Sequence, residues 1–150
     1  CLVGSEMCIR DSFDWVDSVD RLRIAKRLND QRPEDMPPLN VLIEVNISAE
    51  ESKSGVMPEE VCEVAREIAK LPRLKLRGLM AIPEPAQDDE SVRRPLRAMK
   101  ALFDAHKAEF GWDTLSMGMS ADMVQAVEEG ATMVRVGSAI FGARHYPTKA

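Results

Sequence analysis

The chain has 150 residues, 45% of them hydrophobic and 30% charged, with a formal net charge of −5. That length sets a prior of one domain with a real core. The acidic balance, with no basic stripe, argues against nucleic acid as the natural partner, and no apolar run approaches the ~20 residues needed to span a membrane as a helix.

Residues 1–12, CLVGSEMCIRDS, hold two of the three cysteines and show no clean period. They read either as an ordinary N-terminal strand or as a non-native leader, since the peptide resembles translated adapter sequence; they are set apart here, leaving 13–150 for fold reasoning. Cys1, Cys8 and Cys62 are odd in number and lack metal-ligand spacing, which points to a reducing, cytoplasmic setting. His106 and His145 are the two imidazoles, so neither a histidine-based metal site nor a catalytic triad is expected.

Residues 13–19 (FDWVDSV) predict a short strand. Ser18 or Asp20 can cap a helix over 21–31, with Leu22, Ile24, Ala25 and Leu28 on its buried side. Pro33, Pro37 and Pro38 end it and keep the linker extended. Residues 39–47 (LNVLIEVNI) are β-branched and nearly continuous in apolarity, as in a strand covered on both faces. After the polar loop SAEESKSG, Pro58 opens an amphipathic helix carrying Val61, Val64, Ala65, Ile68 and Leu71. Residues 74–82 (LKLRGLMAI) form the next strand, broken by Pro83 and Pro85. A long helix spans 88–110, broken or begun at Pro95, with Leu96, Met99, Leu102, Phe103 and His106 on one side. Gly111 ends it.

The stretch 115–144, LSMGMSADMVQAVEEGATMVRVGSAIFGAR, carries the densest chemistry. Leu115, Met117 and Met119 alternate as in a strand. Ser120 stands where a helix N-cap belongs, Asp122 complements the dipole in the first turn, and Gly130 suits the C-cap. A buried strand, TMVRV, follows over 132–136. Gly118 and Gly137 leave room for a ligand to approach the backbone, and free amides at Ser120 and Ser138 can face an anion. Arg135 is either a surface arginine paired with a carboxylate or a cation at a barrel mouth.

The series is β-α-β-α-β-α-β-α-β, which implies parallel strands with right-handed helical crossovers. No glycine-rich nucleotide fingerprint follows any strand, so a Rossmann reading has little support. The fold class expected is α/β, a (β/α)8 TIM-type barrel. It is incomplete, with about five β/α units where closure takes eight, and the remaining strands are expected upstream.

The segments SVDRLRIAKRLNDQRP, NVLIEVNISAEESKSG, LPRLKLRGLMAIP and the 115–144 stretch closely resemble the pyridoxal-phosphate homeostasis proteins. Their barrel is similar to the N-terminal domain of alanine racemase. The resemblance covers the chain from Phe13 onward. It implies a carrier that holds pyridoxal 5′-phosphate (PLP) and delivers it to PLP-dependent client enzymes without turnover, so no residue is assigned a catalytic role. It places the phosphate at the turns after the last two strands, here Ser116, Met119 and Ser120, then Gly137 and Ser138. Ser138 stands for the family's threonine and keeps its hydroxyl. Arg135 matches the arginine that faces the pyridine nitrogen, where a cation disfavours protonation. An unprotonated ring is a poorer electron sink and suits storage.

Asn46 and Met80, at strand ends, either line the mouth or pack as ordinary strand-end residues. The family's cofactor lysine lies in a Val-Ser-Lys-Thr-Lys type motif that this sequence does not contain. Lys53 alone among the lysines falls near the expected mouth, and a solvated loop lysine explains it at least as well. An alanine-racemase-type enzyme and a degenerate, non-binding module are the competing functions. The first would need a second base opposite the lysine.

Overall fold

The computed structural model describes residues 12–48 and 54–142. Residues 1–11, which hold most of the segment set apart above, Lys53 and everything beyond Gly142 lie outside the described residues. Five strands form one parallel sheet in sequential order. They are β1 (Trp15–Val19), β2 (Leu39–Glu44), β3 (Leu74–Met80), β4 (Thr114–Met119) and β5 (Met133–Arg135). Helices α1 (Leu22–Gln31), α2 (Val61–Ala69), α3 (Asp89–Phe110), α4 (Met123–Glu128) and α5 (Ser138–Phe141) follow the strands in turn. A single 3-10 turn, Pro58–Glu60, leads into α2. This is the alternating α/β arrangement expected, an open arc of a barrel wall.

Period-two alternation divides the strands between two faces. Leu39, Val41, Ile43, Leu79, Leu115 and Met117 join the helices' Ala25, Val61, Ala65, Ile68, Leu96, Met99 and Phe103 in one buried cluster. The opposite face carries Leu42, Met80 and Ser116, all buried outside that cluster. A sheet buried this way reads as nearly continuous apolar runs, which is why β2 carried such a clear signal. Gly78 is required where β3 crosses β4. Its φ is +152°, and a Cβ there would sit 1.8 Å from the Thr114 carbonyl oxygen.

Several local expectations change. α1 takes Arg21 as its N-cap with no side-chain bond; Asp20 instead accepts from the Arg21 guanidinium at 2.9 and 2.5 Å, which occupies the carboxylate meant to cap. α3 is neither broken nor begun at Pro95. Asp88 caps it by accepting from the Ser91 amide at 2.9 Å, and it runs through Pro95 to Gly111 in the left-handed region. The N-cap position of α4 is Asp122, with no side-chain capping bond, rather than Ser120. β2 stops at Glu44, and Val45 makes only an isolated parallel bridge to Val56. β5 is three residues long and half-buried; among the described residues it is an edge strand paired with β4 alone. Among the described residues, no helix is long and apolar enough to cross a membrane.

Candidate cofactor site

The carboxyl ends of β4 and β5 place two turns side by side. Asp122 closes the first by accepting from the Met119 amide at 2.8 Å, while its own amide donates to the Met119 carbonyl at 3.3 Å. Gly118, with φ +95°, lets the strand pass tightly over α4, since a Cβ there would lie 2.4 Å from the Ala126 methyl. In the second turn the Ile140 and Phe141 amides both donate to the Gly137 carbonyl. Ser120 ties the turns together: its hydroxyl accepts from the Ala139 amide at 3.2 Å.

Between them lies a cavity of about 450 Å³ lined by Met119, Ser120, Ala121, Arg135, Gly137, Ser138, Phe141 and Gly142. Among the described residues, the amides of Ser120, Ala121, Gly137 and Ser138 have no protein acceptor. A Cβ built on Gly137 meets no atom within 4 Å, so the glycine's bare side opens onto space. Five of the six sequence-derived residues therefore line one cavity, namely Met119, Ser120, Arg135, Gly137 and Ser138.

Ser116 sits behind the cavity wall. It is fully buried, and its hydroxyl accepts from Arg135 Nη1 at 2.7 Å. Arg135 Nη2 donates to the Ala81 carbonyl at 2.9 Å, so both ends of the guanidinium fork are held. Burial lowers the Arg135 pKa from its usual value, while Asp17, Asp122 and Glu44 act against that. The guanidinium stays charged, because arginine does not deprotonate in proteins.

Asp17 and Glu44 were not anticipated. Burial raises the Asp17 carboxyl above its ordinary value, with Arg135 pulling it back. Burial, then Asp20, raises Glu44, again opposed by Arg135. Acidic residues inside otherwise apolar strands were the available signal. Asn46 is buried, and its amide donates to the Val56 carbonyl at 3.0 Å; Met80 is buried on the inner face. Neither lines the cavity.

A family model for the N-terminal domain of alanine racemase matches residues 6–145. The chain belongs to that family. Within the alanine racemase N-terminal domain family it is similar to the pyridoxal phosphate homeostasis protein of Escherichia coli, with 54% identity over 142 residues. That match covers 94% of this chain and 61% of the relative, so the chain spans about three fifths of the relative's length. Among solved structures, PipY of Synechococcus elongatus without PLP matches with a TM-score of 0.83 at 27% identity. The match covers 93% of this chain and 66% of that one. The same protein with PLP bound matches with a TM-score of 0.80 at 25% identity and the same coverage.

Proposed function

We propose that residues 13–150 are part of a PLP-binding barrel whose work is cofactor storage and delivery without turnover. The observation that carries this is the cavity at the ends of β4 and β5, lined by a tethered arginine and by four residues whose amides have no protein acceptor among the described residues. A phosphate needs several donors converging without a side chain in the way. The amides of Ser120, Ala121, Gly137 and Ser138, the Ser138 hydroxyl and the bare Gly137 backbone suit that requirement.

When bound, PLP supplies an aldehyde that combines reversibly with amines and a pyridine ring that can draw off electrons. Arg135 offers only donors and a fixed positive charge, so beside the ring nitrogen it would disfavour the protonated ring. Ser116 and Ala81 keep that guanidinium in one orientation. The relative's name, pyridoxal phosphate homeostasis protein, supports the same reading, and PLP-dependent enzymes are the recipients that this proposal implies.

Equilibrium dialysis against PLP and against pyridoxal, which lacks the phosphate, tests the proposal. The chain should prefer PLP. Arg135→Ala and Ser138→Ala should each weaken binding by about 1.5–3 kcal/mol, the worth of a charge-assisted hydrogen bond. Equal affinity for PLP and pyridoxal, or variants that bind as the parent does, would overturn it.

A further inference from the structure

Away from the cofactor cavity, two packed helices bring three different metal-binding donors together. Cys62 is the second residue of α2, and Arg66 follows on the same stripe one turn later. His106 and Glu109 share a stripe near the end of α3. The Cys62 sulfur, a His106 ring nitrogen and a Glu109 carboxylate oxygen all lie within 4.8 Å of one another. Sequence spacing gave no hint of this, because the donors come from separate helices that meet only after folding.

The surroundings hold two of the donors in place. Arg66 donates to Glu109 Oε1 at 3.1 Å through Nε and 3.0 Å through Nη2. Oε2 is left facing His106 Nδ1, 4.0 Å away. The imidazole packs against the rings of Phe110 and Trp112, with centroids 6.3 Å from each. Cys62 is half-buried and forms no disulfide among the described residues.

The donor set selects the ion. Magnesium and calcium take oxygen ligands, whereas a thiolate, an imidazole and a carboxylate together suit zinc and its neighbours. Donors bound to tetrahedral zinc at about 2.0–2.3 Å stand about 3.5 Å apart. Side-chain rotations that close roughly 1 Å would therefore complete the set. We propose that Cys62, His106 and Glu109 bind Zn²⁺, with a fourth position open to water, and so clip α2 to α3. The Cys62 thiol gives up its proton as the sulfur–zinc bond forms, so binding releases one proton to solvent. None of these residues lines the cofactor cavity, and the inference stands independently of the cofactor reading.

The test is a Co²⁺ titration of the full chain carrying Cys1→Ser and Cys8→Ser, so that Cys62 is the remaining thiol. One Co²⁺ should bind per chain, giving a sulfur-to-cobalt charge-transfer band that Zn²⁺ abolishes. Cys62→Ser should remove the band, and His106→Ala or Glu109→Gln should weaken binding at least about tenfold. Far-UV circular dichroism must show each variant folded as the parent is. No charge-transfer band in the parent, or a band that survives Cys62→Ser, would overturn the proposal.

Discussion

Arg135→Met gives the most direct test of how the site is built. Methionine retains most of the apolar stem but removes a cation that donates to Ser116 Oγ at 2.7 Å and to the Ala81 carbonyl at 2.9 Å. Hydrogen bonds from a charged donor are worth about 1.5–3 kcal/mol each. Arg135 is only half-buried, which favours the low end, and the release of up to about 2 kcal/mol of arginine rotamer entropy offsets part of the loss. A net destabilisation of about 2 kcal/mol remains, read from urea unfolding followed by tryptophan fluorescence with an unchanged m-value. The loss should also depend on pH. Arg135 holds down the Asp17 and Glu44 pKa values that burial raises. Without it, both carboxyls would titrate still higher in the folded state. A raised native carboxyl favours folding below its unfolded pKa, and that advantage disappears as pH rises through the native value. The variant should therefore fall further behind the parent at neutral pH than at pH ~4. A loss below about 0.5 kcal/mol, the size of an ordinary surface change, or one indifferent to pH, would refute the reasoning.

Other substitutions test neighbouring features. Asp17→Asn should raise the unfolding midpoint at neutral pH, since burial disfavours the ionised carboxylate; the gain should vanish below the ordinary aspartate range, where the parent's carboxyl is already neutral. Gly78→Ala should cost more than about 3 kcal/mol, because its Cβ would overlap the Thr114 carbonyl at a left-handed φ; a near-parental urea midpoint would contradict that. Asp88→Ala should speed hydrogen exchange at the Ser91 amide, which loses its capping acceptor. Hydrogen bonds from the Ser91 side chain and then its amide hold the Asp88 pKa down, so the difference from the parent should shrink as pH falls through that lowered value.

Much of the fold was legible because the sheet is buried on both faces. LNVLIE and LKLRGLM announce strands by apolar density, and glycines and prolines mark most boundaries. Arg135 stood out for the converse reason, as a cation in an apolar strand. Fine detail was less legible where two residues competed for one role. Ser120 and Asp122 are both residue types that suit an N-cap, two positions apart; the helix starts after Asp122, whose carboxylate accepts from the Met119 amide. Pro95 misled because its local rule is outweighed once Asp88 has secured the first turn. Which residues converge across elements left little local trace. Ser116 bonded to Arg135, the charges of Asp17 and Glu44 felt by it, and Cys62 near His106 are juxtapositions that only the packed sheet and helices create.

The sequential order of the parallel strands has a consequence for how the arc can be extended. Among the described residues, β1 and β5 each pair with one neighbour only and so form the two margins of the sheet. A second copy docking about a twofold axis would lay one margin antiparallel against its own like, β1 on β1 or β5 on β5. A strand joining in the same direction must lay the β1 type of margin against the β5 type. Growth by such same-direction addition is therefore polar, like bricks laid all facing one way. It ends only when the curvature returns the last margin to the first, and otherwise it leads to an open-ended fibre.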